Sequence, residues 1–289
     1  MIDGLIQAGF ANPNLENEHD PQPANNAPIG IFDSGVGGLT VLAKIQEILP
    51  GESLIYVGDT ANAPYGGKSH DELLGHGRDI IRFLRRQNVK AIVLACGTTS
   101  STVYQQLVDE NPGVPLVDVV RPGVEVCAKL ADENPGLRIG LIATAATIRS
   151  GLFAKLLKAH GVSVVMQACP MFAPMVEAGV TFGPVARWVA ETYVGSWRSN
   201  VDALVLGCTH YPLLEETLGD VLGAGTQFIN LAESTAQALK TRLAMAGCLN
   251  DGSTPPGYQF CVSGDPVVFS NTARLLLGRE IAASRIEFV

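Results

Sequence analysis

The chain has 289 residues, 47% of them hydrophobic and 17% charged, and its 20 basic and 28 acidic side chains give a net charge of −8. This composition excludes a disordered chain, and the acidic balance argues against direct nucleic-acid binding, which depends on neutralising phosphates. No apolar run approaches the roughly 20 residues that cross a bilayer, so we expect a soluble protein. The length suffices for one large domain or two of medium size.

The N-terminal segment and the cysteines indicate the cellular compartment. Residues 1–27 contain neither a basic stretch nor a sustained apolar stretch, so they are not a secretory signal, and we expect a disordered leader. Six cysteines without a CxxC pair are typical of reduced thiols rather than of a disulfide framework. We therefore predict a cytoplasmic protein.

After the leader, short apolar runs alternate with longer stretches of helical period. The first half predicts strands at residues 28–32, 54–57, 91–95 and 116–119, with helices at 39–49, 71–86 and 98–108 between them. The second half predicts strands at 138–143, 162–167, 203–206 and 227–229, helices at 151–160, 184–197 and 213–222, and finally a helix at 234–245 and a strand at 258–262. This order is typical of an α/β fold in which helices flank mostly parallel sheets.

Two segments of the first half recur in the second half. IGIFDS at 29–34 resembles IGLIAT at 139–144, and AIVLAC at 91–96 resembles ALVLGC at 203–208, at offsets of 110 and 112 residues. Short strands rich in Ile, Val and Leu also resemble each other by chance. Two matches at nearly equal offsets nevertheless favour two related α/β lobes.

We therefore predict two pseudo-symmetric lobes, each a mostly parallel sheet flanked by helices. Residues 28–120 with 230–289 would form the first lobe, residues 121–229 the second, and the active site would lie in the cleft between them. Ligands of parallel α/β sheets bind beyond the carboxyl ends of the strands. The recurring segments place four reactive residues at such ends, namely Asp33, Cys96, Thr144 and Cys208.

Cys96 and Cys208 each follow an apolar strand and precede a turn that carries hydroxyl groups. Both should lie near a helix N-terminus, where amides and the helix dipole lower the pKa of a thiol below its usual value of about 8.5. A thiolate in this position is a nucleophile or a base. The other four cysteines are interpreted as small buried residues, at positions 127, 169, 248 and 261.

Two other chemistries use the same residues. Cys96, Cys208 and His210 could supply three metal ligands, but their spacing lacks the paired short gaps of structural zinc sites. His210 could also pair with one thiol, as in a cysteine protease. Two strand-end cysteines are one more than that chemistry needs.

Several polar residues extend the candidate site. Asp33 precedes a glycine-rich turn whose amides could approach a carboxylate or a small phosphate, although the glycine spacing is not that of a dinucleotide fingerprint. Tyr65 and Gly66 could present a phenol and an amide to a ligand. Glu177 and His210 could each lie beside a thiol. Each of these residues is also common as an ordinary turn, cap or surface residue.

Six segments together resemble the glutamate racemase family, within the aspartate/glutamate racemase superfamily. They are IGIFDSGVGGLTVL (29–42), YVGDTANAPYG (56–66), VLACGTTS (93–100), ATIRSG (146–151), FAPMVEAG (172–179) and LGCTHYPLL (206–214). The similarity runs in order from Ile29 to the SGD at 263–265. It implies a racemase without cofactor or metal, a site between two α/β lobes, glutamate as the substrate, and a role in supplying D-glutamate for peptidoglycan, and so in cell shape.

The resemblance also implies roles for individual residues. Cys96 and Cys208 would be the two catalytic thiols, one removing the α-proton and the other reprotonating the opposite face, with Asp33, Glu177 and His210 assisting. The substrate-binding residues would be Asp33, Ser34, Tyr65, Gly66, Gly97, Thr98, Thr144, Thr147, Thr209 and His210.

Gly97 departs from the family pattern, in which Asn usually follows the first cysteine. Loss of a buried hydrogen bond to a charged ligand costs about 1.5–3 kcal/mol. Gly97 would enlarge the pocket at this point, so one alternative is a racemase for another amino acid. Another is a weakly catalytic member of the family that acts as a binding or regulatory protein, for example on DNA gyrase. The resemblance leaves open a homodimer.

Overall fold

The computed structural model describes residues 25–288. The described strands, in chain order, are β1 (Ile29–Asp33), β2 (Leu54–Gly58), β3 (Ala91–Leu94), β4 (Leu116–Asp118), β5 (Ile139–Ala143), β6 (Val164–Ala168), β7 (Ala203–Leu206), β8 (Gln227–Asn230), β9 (Tyr258–Val262) and β10 (Ser284–Arg285). They form a six-stranded sheet in the order β10-β9-β2-β1-β3-β4 and a four-stranded sheet in the order β6-β5-β7-β8. All the described strand pairs are parallel.

Helices connect the strands. They are α1 (Leu39–Ile48), α2 (His70–Arg86), α3 (Gly97–Thr102), α4 (Tyr104–Glu110), α5 (Val120–Glu133), α6 (Ala145–Ser150), α7 (Leu152–Ala159), α8 (Phe172–Glu177), α9 (Gly183–Val194), α10 (Glu215–Leu222), α11 (Leu231–Met245) and α12 (Pro266–Leu277). Within the described range, no helix is both long and apolar enough to span a membrane. The predicted α/β fold with two parallel sheets is confirmed.

The domain boundaries stay a prediction. The six-stranded sheet takes its strands from residues 29–118 and 258–285, and the four-stranded sheet takes its strands from 139–230. Most of the expected leader, residues 1–24, lies outside the described residues. Its last residues, 25–27, are described and lead through a turn into β1, where the Lys90 ammonium donates a hydrogen bond to the Asn25 carbonyl.

The two sheets share part of their core. One cluster of buried side chains includes Ile31 from β1, Leu141 from β5 and Val205 from β7, together with residues of α1, α5 and α11. Each sheet also has a cluster on its other face, one under α2 and the other under α9 and α10. The shared cluster fixes the two sheets against each other, so their strand ends can form one site.

The predicted helix at 98–108 is wrong in one respect, because the chain forms α3 and α4 with a break at Val103. The α3 sequence is GTTSST, and its hydroxyls bond back to the helix: Ser101 Oγ and Thr102 Oγ1 both donate to the Thr98 carbonyl, at 3.1 and 2.7 Å. Such bonds compete with regular helix geometry. Five elements were not predicted, namely the helices α5, α6, α8 and α12 and the short strand β10.

Thr144 links the two sheets at their carboxyl ends. It is the N-cap of α6, accepting a hydrogen bond from the Thr147 amide at 3.3 Å, and its Oγ1 lies 2.8 Å from Oγ1 of Thr98, which follows β3. Thr98 is buried, so loss of its partner would leave a polar group unpaired.

We expect Thr144→Val to lower the free energy of unfolding by about 1–3 kcal/mol, because it removes both the cap and the contact with Thr98. Thr144→Ser keeps the hydroxyl and is the matched control, with a much smaller loss. Urea unfolding monitored by circular dichroism measures both variants. Equal losses in the two would contradict this role of the hydroxyl.

Candidate active site

The carboxyl ends of both sheets meet in one cleft. Asp33 is the last residue of β1, and Cys96 lies two residues beyond β3, whereas Cys208 lies two residues beyond β7 in the other sheet. The contact is close: a Cβ atom on Gly37 would lie 2.4 Å from Thr209 Oγ1, and Thr40 Oγ1 donates to the Thr209 carbonyl at 3.2 Å. Glycine at position 37 lets the turn after β1 lie against the loop after β7.

Asp33 is completely buried at the base of this cleft. Its Oδ2 accepts hydrogen bonds from the amides of Gly35 and Gly38, both at 3.0 Å, whereas Oδ1 has no hydrogen-bond partner among the described residues. Burial raises the pKa of Asp33, and the charge of His210 and the two amides oppose this effect. A carboxylate with one unpaired buried oxygen is suited to bind a cationic group.

The surroundings of Cys96 favour the neutral thiol. Its sulfur lies 3.7 Å from Ser34 Oγ. Burial, with a further contribution from the charge of Asp33, raises the pKa of Cys96 to about 11, although the Thr99 amide and hydroxyl and the Ser34 hydroxyl act in the opposite direction. The prediction that a helix N-terminus lowers the pKa of this thiol is therefore wrong. The first turn of the six-residue α3 does not compensate for the loss of nearly all solvent contact.

Cys208 lies in a different environment, beside a charged imidazole. Its sulfur is 3.6 Å from Nδ1 of His210, whose Nε2 is 2.8 Å from Oε1 of Glu177. Burial lowers the pKa of His210, but the hydrogen bonds to Cys208 and Glu177 and the charges of Cys208 and Asp33 outweigh it and raise the pKa to about 10. His210 is therefore an imidazolium at neutral pH, held between a sulfur and a partly exposed carboxylate.

The structure brings most of the other predicted residues to the same cleft. Ser34 contacts Cys96, Thr98 contacts Thr144, and Thr147 lies behind them, with its Oγ1 3.0 Å from that of Thr144. Gly66 also faces Thr144, since a Cβ atom there would lie 3.2 Å from the Thr144 Cβ. The roles of these residues in substrate binding stay predictions.

Two predictions about this cleft are wrong. The phenol of Tyr65 is not presented to a ligand, because it is buried and its hydroxyl donates to Asp59 Oδ2 at 2.5 Å. Gly97 does not enlarge the pocket either. The Gly207 carbonyl oxygen occupies the space that a side chain on residue 97 would need, 2.4 Å from the position of its Cβ atom.

Three residues next to the site were not singled out from the sequence. Asp59 accepts hydrogen bonds from the side chains of Asn62, Tyr65 and Ser263. The Tyr56 hydroxyl donates to the Gly35 carbonyl at 2.7 Å. Thr99 is buried beside Cys96. A signal for Asp59 was available, because it follows β2 just as Asp33 ends the neighbouring β1. No sequence signal distinguishes Tyr56 from an ordinary buried strand residue.

The metal-site alternative lacks a ligand set. Among residues 25–288, no three His, Cys, Asp or Glu side chains are grouped closely enough to hold a metal ion. Cys208 and His210 are close together, but Cys96 lies against Ser34 and Asp33 rather than with them. Of the remaining cysteines, Cys127, Cys169 and Cys261 are buried as predicted, whereas Cys248 is only partly buried.

Comparison with known proteins gives a consistent result. The Asp/Glu/hydantoin racemase family model matches residues 29–239. A protein named glutamate racemase from Geobacter metallireducens is 40% identical over 256 residues, which cover 88% of this chain and 93% of that protein. A protein of the same name from Corynebacterium diphtheriae is 42% identical over 259 residues, which cover 89% of this chain and 96% of that protein.

Solved structures agree with the sequence comparisons. Glutamate racemase from Thermus thermophilus, in complex with β-chloro-D-alanine, has a TM-score of 0.81 and 40% identity. Glutamate racemase from Francisella tularensis, in complex with D-glutamate, has a TM-score of 0.84 and 32% identity. Each alignment covers 91% of this chain and 98% of the other.

The raised pKa of His210 predicts a pH-dependent stability. Because the folded protein holds this proton more tightly than the unfolded chain, the stabilisation is complete below about pH 6.5, the usual pKa of histidine, and falls as the pH rises towards 10. We expect the free energy of unfolding to decrease between pH 6.5 and 10 more steeply in the wild type than in His210→Gln.

Urea unfolding at several pH values tests this expectation. His160 is an exposed histidine, so His160→Gln is the matched control and should follow the wild-type curve. Parallel curves for the wild type and His210→Gln would contradict a charged His210 in the folded protein.

Proposed function

This chain belongs to the Asp/Glu/hydantoin racemase family, and on that premise we propose that it interconverts L- and D-glutamate without a cofactor, using Cys96 and Cys208 as its acid and base. Membership makes it a racemase, a class of isomerase. The choice of glutamate is supported by the names of its relatives and by the D-glutamate complex of the Francisella tularensis enzyme.

The unequal surroundings of the two cysteines carry the proposal. Inversion without a cofactor needs a base on one face of the α-carbon and an acid on the other. Burial keeps Cys96 protonated, with a pKa of about 11, while the His210 imidazolium lies 3.6 Å from the Cys208 sulfur and can balance a negative charge there. The free enzyme would thus hold a thiol at Cys96 and a positive charge beside the Cys208 sulfur.

In the reaction, the Cys208 thiolate removes the α-proton from one face of the amino acid. Cys96 then donates its own proton to the opposite face, so that one C–H bond breaks and one forms, and the charge passes from one sulfur to the other. The opposite enantiomer reacts with these roles exchanged. The Glu177 carboxylate orients His210 through the 2.8 Å contact at Nε2.

The other residues of the cleft would bind and polarise the substrate. The buried Oδ1 of Asp33 has no partner among the described residues and is suited to accept a hydrogen bond from the α-ammonium group. The α-proton of an amino acid is weakly acidic, so the carbanionic transition state needs fixed donors. The hydroxyls of Thr98, Thr144 and Thr209 lie at the interface between the sheets and would be such donors.

The structure weakens one argument for a different substrate. A larger pocket at Gly97 would have favoured another amino acid, but the Gly207 carbonyl occupies that space. We propose that the enzyme acts in the cytoplasm and supplies D-glutamate for peptidoglycan, as the resemblance implies.

Proton NMR of L- and D-glutamate in D₂O tests the proposal. We expect loss of the α-proton signal together with racemisation in the wild type. Cys96→Ala and Cys208→Ala should each lower the racemisation rate by about 10²- to 10⁴-fold, the usual contribution of a general acid or base. Cys248→Ala, which changes a partly buried cysteine outside the cleft, is the matched control.

Aspartate, glutamine and alanine are measured in parallel to identify the substrate. The proposal fails if the wild type neither exchanges nor racemises glutamate. A faster reaction with another of these amino acids would keep the two-cysteine chemistry but replace glutamate as the substrate.

A further inference from the structure

Two glycines next to the catalytic cysteines bring the two sheets into direct backbone contact. Gly97 follows Cys96, and Gly207 precedes Cys208. A Cβ atom on Gly97 would lie 2.4 Å from the Gly207 carbonyl oxygen and 3.4 Å from its carbon. Real Cβ atoms essentially never come within 3.0 Å of a heavy atom outside their own residue and its chain neighbours. The sheets are therefore closer here than any side chain at position 97 would permit.

Neither backbone segment can move away easily. The Gly207 amide donates to the Ile142 carbonyl at 2.8 Å, and a Cβ atom on Gly207 would itself lie 2.8 Å from that oxygen, so this peptide packs tightly against β5. On the other side, the Ser100 amide donates to the Cys96 carbonyl and its hydroxyl donates to the Leu94 carbonyl, both at 3.0 Å. A side chain at position 97 would therefore displace one sheet relative to the other.

We propose that the Gly97–Gly207 contact sets the distance between the two catalytic sulfurs, so that Gly97 is a positioning residue for the reaction. This inference rests on the proposed two-cysteine function. Each glycine is bonded directly to one of the cysteines, and consecutive Cα atoms are about 3.8 Å apart. A displacement at the contact is therefore transmitted to the two sulfurs with little loss.

Two effects of a substitution at position 97 compete. Asparagine would add a side-chain amide, and a hydrogen bond from it to a charged substrate would be worth roughly 10- to 150-fold in binding or rate. The carbonyl oxygen, however, would have to retreat from 2.4 Å to at least 3.0 Å. Because a misplacement of about 1 Å costs on the order of 100-fold in rate, the loss of alignment is of the same order as this gain, and only Gly97→Ala, which adds no hydrogen bond, shows the loss alone.

Gly97→Ala and Gly97→Asn test this proposal, with Gly75→Ala as the matched control. Gly75 lies in α2, and a Cβ atom there would have no neighbour within 4 Å. We expect kcat for glutamate racemisation to fall by about 10- to 100-fold in Gly97→Ala, with a much smaller change in KM, and the kcat of Gly97→Asn to lie above that of Gly97→Ala. The control should keep wild-type kinetics.

A second readout separates misalignment from poor folding. In D₂O, a displaced thiol fails to reprotonate the far face, so the proton is exchanged by the same sulfur that removed it. The ratio of α-proton exchange to inversion should therefore exceed that of the wild type in both variants. This ratio does not depend on the fraction of enzyme that is folded.

Crystal structures of the wild type and Gly97→Ala complete the test, because they report the separation of the Cys96 and Cys208 sulfurs whether or not glutamate is the substrate. We expect the separation to increase in the variant. An unchanged separation or a kcat within threefold of wild type for Gly97→Ala would overturn the inference. A wild type that does not racemise glutamate would instead overturn the proposed function.

Discussion

The close approach of two sets of strand ends is the constraint on which the rest of this structure depends. The six-stranded and four-stranded sheets share a buried cluster, and their carboxyl ends meet through glycines and small hydroxyl residues. Gly37 admits the loop that carries Thr209, and Gly97 admits the Gly207 carbonyl. Larger residues at these positions would separate the elements that carry the two cysteines. The close contact between the sheets therefore requires glycine at both positions.

Desolvation at this interface creates the chemical asymmetry of the site. Cys96 is enclosed with the Asp33 carboxylate, and burial there favours the uncharged thiol. Cys208 shares its surroundings with His210, whose proton is stabilised by contacts to sulfur and to Glu177. One interface thus provides a buried thiol on one side and a sulfur beside an imidazolium on the other. Two chemically similar strand ends acquire different electrostatic surroundings because their neighbours differ.

Much of the fold and of the candidate site could be predicted from the chain. The alternation of strands and helices predicted both parallel sheets, and the recurring segments placed Asp33, Cys96 and Cys208 at strand ends. The break at Val103 was missed, because the helical pattern continues across it while the α3 hydroxyls bond to their own backbone. Asp59 was missed although it follows β2, and its contact with the distant Ser263 could not be read from the sequence.

The sequence by itself determined the fold class and the residues at the strand ends, since periodicity and position along a strand are local properties of the chain. Only the tertiary structure decided the ionisation of the site and whether Gly97 opens space for a ligand. The pKa of Cys96 depends on burial by other segments, the charge of His210 depends on Glu177, and the space beside Gly97 is taken by a carbonyl 110 residues away. All three properties depend on distances between remote parts of the chain, and only the packing of the folded protein sets those distances.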